Sequence, residues 1–189
     1  MPHHRADVLA HAVQLLDAHG LAALTMRRLG TELRVQPSAI YHHFENKQTL
    51  LAAVADEILV RGPATRGGLP SGSHGATERL REVCGDLREA MLAVTDGADV
   101  VATAWAFGLG AQGPARELER VLAAAGADAE LVAVGSRTLL HYVFGHTFEE
   151  QTARQAISAG AVDRALDSIP DFDLGLGLVL DGLRGRLPS

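Results

Sequence analysis

Apolar positions recur at helical spacing from residue 8 onward. Val8, Ala12, Leu15 and Leu16 share one face of residues 5–19, and Gly20 supplies a stop. Thr25 can cap a second helix over roughly 26–33, with Leu29 and Leu33 inward. Arg34-Val35-Gln36 is a short break. Pro37 suits the first position of a third helix, where its missing N–H would have no partner anyway. That helix is short and runs to about residue 43. Asn46 can cap a longer fourth helix reaching about residue 61.

Residues 62–75 (GPATRGGLPSGSHG) lose all periodicity and read as a flexible connection. Helical patterns resume over 76–94. A glycine-punctuated region, 96–114, holds a short apolar piece from Val100 to Phe107. Further helices are predicted over about 115–125, 128–153 and 172–187. Residues 158–171 between the last two form a weakly ordered passage with room for one short helix. No strand alternation and no internal repeat interrupts this pattern. The fold class is all-α, with residues 1–61 and 62–189 as the two domains.

Composition narrows the picture. Aromatic residues are only 4%, so the core must be built from Leu, Val and Ala. The single cysteine, Cys84, excludes an intramolecular disulfide framework and fits a reducing compartment. The opening residues lack the apolar stretch of a signal peptide, and no apolar run approaches a membrane span. A cytoplasmic location without membrane association is expected. The net charge of −6 argues at first against DNA, but its distribution changes that reading. Residues 1–50 hold five basic and four acidic residues, whereas the remainder holds twelve basic and nineteen acidic. Six of the nine histidines also lie in the first fifty. DNA binding needs a local basic face rather than a basic protein.

The informative stretch is Leu24 to Phe44, LTMRRLGTELRVQPSAIYHHF. Two short helices joined by a tight turn and preceded by a packing helix are the parts of a helix-turn-helix reader. Leu29, Leu33, Val35 and Ile40 can form the small core that sets the angle between them. The second helix then exposes groups able to enter a major groove about 12 Å wide. Candidate DNA contacts are Thr25, Arg27, Arg28, Pro37, Ser38, Tyr41, His42, His43 and Lys47. Arg27 can reach a guanine edge or a phosphate, and Lys47 is placed for a phosphate.

The order Leu24-Thr25, Leu29-Gly30, Val35, Ile40-Tyr41, His43-Phe44, Asn46-Lys47 and Leu50-Leu51 resembles the DNA-binding signature of the TetR family. The second half is similar to the regulatory domain of tetracycline repressors. Asp96-Gly97-Ala98, His141-Tyr142, Gly145, Glu149-Glu150-Gln151, Phe172 to Leu176 and Gly182-Leu183 carry that likeness. The resemblance implies a homodimer on a double-stranded operator, released by a small-molecule effector. It implies a three-helix reading domain joined by a connector helix to a ligand-binding and dimerisation domain. It also implies that the helix ending near Gln151 and the last helix form a four-helix bundle with the partner subunit.

The departures bear on the effector. Tetracycline repressors bind a drug–magnesium chelate. The metal-binding histidine of that subfamily corresponds here to Val101, a nearby arginine to about Trp105, and the connector-helix histidine to about Pro63. Glu149 matches an acidic residue of the metal's outer shell, but one such position cannot hold a metal whose direct ligand is gone. No metal and no cofactor is therefore expected. The expected effector is largely apolar, with candidate lining Leu87, Met91, Val101, Trp105, Leu118, His141 and Phe148, and with His141 and Glu149 as polar anchors. Trp105 fits a cavity wall or plain core packing equally.

Other residues read plainly. His42 and His43 diverge by about 100° on a helix, which favours a groove or phosphate role over metal binding. His141 and His146 lack the arrangement of a zinc hydrolase and read as polar lining. Cys84 reads as a small core residue. A dimer is expected from the apolar stripe Leu176, Leu180, Leu183 and Leu187 with Leu139, Leu140, Val143 and Phe144, too large a patch for a monomer. The leading expectation is a repressor. Its alternatives are an activator or effector-independent regulator and, from another class, a small-molecule enzyme. For the enzyme there is no nucleophile–base pair, phosphate loop or metal cluster.

Overall fold

The computed structural model describes residues 4–64, 75–162 and 171–188. Among these it contains nine α-helices and no strand: α1 (Arg5–His19), α2 (Met26–Glu32), α3 (Pro37–Tyr41), α4 (Lys47–Ala64), α5 (Ala76–Leu92), α6 (Gly97–Ala106), α7 (Gly113–Ala124), α8 (Ala129–Ser158) and α9 (Phe172–Arg184). The chain divides into two compact units. One comprises Met1–Gly67 with Ala90–Ala111, the other Gly68–Glu89 with Gln112–Ser189.

In the first unit α1 packs on α2 and α4, α2 on α3, and α4 on α6. Leu16, Leu24, Leu29, Ile40, Leu50 and Ile58 are fully buried there, as the helical spacing requires. Each such side chain contributes about 1.5–3 kcal/mol by leaving water. The apolar piece expected within 96–114 is the helix α6, whose Ala98, Val100, Val101 and Ala104 are buried. In the second unit α8 packs on both α7 and α9. Gly135 of α8 marks the meeting of all three, because a Cβ there would touch Leu183 at 3.0 Å and Leu122 at 3.2 Å.

Several boundaries differ from the sequence pattern. The short helix α3 closes at Tyr41, and α4 runs on to Ala64, past the expected stop at residue 61. The rest of the expected connection, 65–74, lies outside the described residues, as does 163–170, most of the passage given room for a short helix. α8 runs to Ser158, with Gly160 at a positive φ just beyond it.

One expectation is corrected. The spacing predicts an apolar patch awaiting a partner at Leu139, Leu140, Val143, Phe144, Leu176, Leu180 and Leu183, yet all are buried within the single chain. Leu187 lies beyond the end of α9 and is half-buried. The physical reason is that those stripes of α8 and α9 serve the subunit's own core. The outward faces carry a different set, with Leu174 71% and Leu178 72% exposed on α9, and Val134 and Phe148 more than half exposed on α8.

Candidate nucleic-acid interface

The turn between α2 and α3 is built from local chemistry. The Thr25 hydroxyl oxygen accepts the Arg28 N–H at 3.1 Å and starts α2. The Val35 N–H donates to the Gly30 carbonyl at 2.9 Å and draws the entry to α3 back onto α2. A Cβ on residue 30 would lie 3.1 Å from the Val35 carbonyl oxygen, so glycine permits the close approach. Arg34 makes the reversal with φ 56°, in the left-handed region that is costly for a side chain. Pro37 begins α3, and buried Ile40 anchors it. Asn46 and Thr49 then cap α4 reciprocally: the Thr49 N–H donates to Asn46 Oδ1 at 2.9 Å and the Asn46 N–H to Thr49 Oγ1 at 3.2 Å.

These elements place the candidate contacts as follows. Thr25, Arg27, Ser38, Tyr41 and His42 are exposed, while Pro37, His43 and Lys47 are half-buried. Arg28 is half-buried and faces Glu32 at 3.8 Å, which ties its charge to α2. Arg5, Arg27, Arg34 and Lys47 have no acidic side chain within ion-pair distance among the described residues. Most arginines of the second unit are paired, although Arg116 and Arg186 have no carboxylate within ion-pair distance among the described residues. There Arg79 pairs with Glu82 and Glu117, Arg88 with Glu150, Arg120 with Glu117 and Arg184 with Asp181. A protein of net negative charge thus leaves these four cations of its helix-turn-helix end unneutralised by any described residue.

The same unit fastens α6 at both ends. At its start the Leu21 N–H donates to Asp96 Oδ2 at 2.7 Å, and the Thr95 hydroxyl donates to the Asp17 carbonyl at 2.7 Å. The Thr95 N–H donates to Asp17 Oδ1 at 3.1 Å. Beyond its end, the Ala111 N–H donates to Asp56 Oδ1 at 2.7 Å, which ties the chain to α4. Gly110 sits so close that a Cβ would lie 2.7 Å from the Ala52 carbonyl oxygen. Asp17, Asp56 and Thr95 are not among the residues singled out from the sequence. They are ordinary polar residues, and partners 55 to 78 residues away leave no periodic signal.

The effector candidates divide between the units. Met91 and Val101 are buried in the first unit, where Trp105 is half-buried. Leu87 and Leu118 are buried in the second, while His141, Phe148 and Glu149 are exposed on α8. The acidic residue next to the anchor candidate behaves differently. Glu150 is buried, accepts two hydrogen bonds at 2.7 and 2.8 Å from the Arg88 Nη2 and one at 2.9 Å from its Nε, and also pairs with Arg154. The Arg88 guanidinium lies 4.9 Å over the Phe172 ring, and the Phe172 backbone carbonyl accepts the Tyr142 hydroxyl at 2.8 Å. Burial pushes the Tyr142 phenol above its ordinary range and the Cys84 thiol up to about 12. Cys84 therefore stays a protonated core thiol. Among the described residues no group of three His, Cys, Asp or Glu side chains is placed to hold a metal ion.

A capped helix, a tight turn and a short helix with exposed polar residues, all carried on a small helical core, define a helix-turn-helix DNA-binding regulator. Residues 8–54 match the sequence model of bacterial regulatory proteins of the tetR family, and residues 69–169 match the tetracyclin repressor-like C-terminal domain. The chain belongs to the TetR family. It is 31% identical to the tetracycline repressor protein class E of Escherichia coli, over 84% of this chain and 74% of that one. Its structure is similar to Mycobacterium smegmatis BioQ, with TM-score 0.86 and 40% identity over 97% of this chain and 99% of the other. BioQ with its natural double-stranded DNA operator gives TM-score 0.81 and 39% identity, over 96% and 98%. A single-substitution variant of TetR from Acinetobacter baumannii AYE, in complex with minocycline, gives TM-score 0.75 and 27% identity, covering 99% of both chains.

Proposed function

We propose that the chain is a ligand-responsive transcriptional repressor that binds a palindromic operator as a homodimer and is released by a small molecule. The observation that carries this reading is the helix-turn-helix end with its unneutralised cations. The likeness to BioQ, which has a double-stranded operator, supports it. Residues 1–61 are the reading domain with its connector helix, and residues 62–189 the ligand-binding and dimerisation domain. Ser38, Tyr41 and His42 read base edges, with Arg27 placed for a guanine. Thr25, Arg28, His43 and Lys47 hold phosphates, and Pro37 packs against the groove.

The outward faces of α8 and α9 form the dimer seam. Val134, His141 and Phe148 are spaced by seven residues, which puts them on one line of α8, and α9 offers the exposed Leu174 and Leu178. Gly145 and Gly177 have open space where a Cβ would stand, so a partner helix can come close. The effector is apolar, needs no magnesium and acts on α6, where Val101 and Trp105 replace polar groups. Because the residues flanking α6 are hydrogen-bonded to α4 and to the end of α1, a ligand that favours a displaced α6 also favours a displaced reading head. Two recognition helices wrongly spaced for successive grooves then lose the operator. The protein works in the cytoplasm and catalyses no reaction; no described helix is long and apolar enough to cross a membrane.

The test begins with an operator selected by the full-length protein from random-sequence duplexes. A two-fold palindrome is expected. Arg27→Ala weakens it by about 1–3 kcal/mol if the contact to guanine is bidentate, and Tyr41→Ala also weakens it. Unchanged affinity in both variants refutes the assignment. Calorimetry with tetracycline, with and without magnesium, tests the effector reading: tight magnesium-dependent binding would overturn it.

A further inference from the structure

Arg5 opens α1, is exposed, and has one partner among the described residues: its guanidinium carbon lies 4.7 Å over the centre of the Phe44 ring. Phe44 itself is buried, with the Ile40 carbonyl accepting its N–H at 3.0 Å, so the ring is a fixed platform at the close of the recognition segment. In sequence it follows His42-His43 directly and precedes Lys47 by three residues, and these are the residues assigned above to groove and phosphate. A guanidinium stacked on an aromatic face keeps its N–H donors free at the edge of its plane. The stack also limits the rotamer freedom that an arginine would otherwise lose on binding, which lowers the cost of a contact.

We propose that Arg5 is a DNA-contacting residue: stacked on Phe44, it donates to a backbone phosphate beside the one held by Lys47. The proposal rests on the DNA-facing reading of the 37–47 segment. It extends the reading surface from the helix-turn-helix to the start of α1. Among the described residues no acidic side chain competes for this guanidinium, whereas Arg61 and Arg79 are each held by a glutamate.

The experiment measures how the affinity of the full-length protein for the selected duplex falls with salt, alongside a scrambled duplex of equal length. Each phosphate contact adds about 0.9 to the slope of log affinity against log salt, so losing two per dimer lowers it by about 2. Arg5→Met, which keeps an apolar cover on Phe44, is expected to lower the slope by that amount on both duplexes. Arg5→Lys, which keeps the charge, is expected to retain the slope. Thermal unfolding checks that each variant is folded, and Arg5→Gln replaces the Met variant if that one is not. An unchanged slope in Arg5→Met beside a lowered slope in Lys47→Met overturns the proposal and leaves the DNA-facing reading intact. A lowered slope in Arg5→Lys equal to that of Arg5→Met also overturns it, because the role is then the stack and not the charge. Unchanged slopes in both Arg5→Met and Lys47→Met overturn the DNA-facing reading itself.

Discussion

The backbone N–H of Leu21 donates to the carboxylate of Asp96 across 75 residues of chain, at 2.7 Å. Asp96 reaches this position with φ 56°, and a Cβ on Gly20 would lie only 2.9 Å from its Oδ2. A left-handed aspartate, a neighbouring glycine and a part-buried charge-assisted hydrogen bond therefore specify one another. The end of α1 and the start of α6 are held as one piece.

Asp96→Ala removes the acceptor and leaves a side chain in the left-handed region. A hydrogen bond to a charged group contributes about 1.5–3 kcal/mol, so a loss of that order is expected in urea unfolding. Asp96→Asn keeps an acceptor and tolerates the conformation, and should lose less than half as much. Equal losses in the two variants would show that the bond to Leu21 is not what stabilises the turn.

Gly110→Ala tests the other fastening. The added methyl meets the Ala52 backbone, which cannot move without bending α4. The bond from Ala111 to Asp56 should break with it. A destabilisation of about 1–3 kcal/mol is expected from overpacking, together with faster hydrogen exchange at the Ala111 amide. An exchange rate equal to the parent protein's would contradict this account.

Glu117 provides a pH dependence. Hydrogen bonds from Arg120 and then Arg79 outweigh burial and hold its carboxyl down at about 2, below its ordinary 4.5. A depressed carboxylate contributes stability that is present above its unfolded-state value and lost as pH falls toward the folded one. The contribution should therefore fade between about 4.5 and 2. Denaturant unfolding of Glu117→Gln across that range should show a shallower acid decline than the parent. Parallel curves would rule the residue out as the source.

Leu178→Asp addresses the dimer seam. Leu178 is largely exposed in the single chain, so the charge leaves the subunit core untouched. Sedimentation is expected to show dissociation at concentrations where the parent is dimeric, with helical content unchanged. The buried Leu180→Ala should act the other way, costing about 2–5 kcal/mol of stability through a cavity. A dimer that survives Leu178→Asp places the seam elsewhere.

Local chemistry made much of the molecule legible in advance. Thr25, Gly30, Pro37 and Asn46 act within a few residues of themselves, by capping, close approach and restricted φ, so the helix-turn-helix could be read from the order of residues. The spacing of Val8, Leu15, Leu16 and Ile40 likewise determined which faces would be buried. Two kinds of information were not local. The first was which apolar stripe of α8 and α9 would be taken by the subunit's own core: Leu176 and Leu178 are equally apolar, and only packing within the folded unit separates the buried one from the exposed one. The second was the pairing of Asp17 with Thr95, Asp96 with Leu21, Asp56 with Ala111 and Arg88 with Glu150. Each is a contact between single polar groups brought together by the fold, and one polar residue on a helix or turn carries no mark of its distant partner.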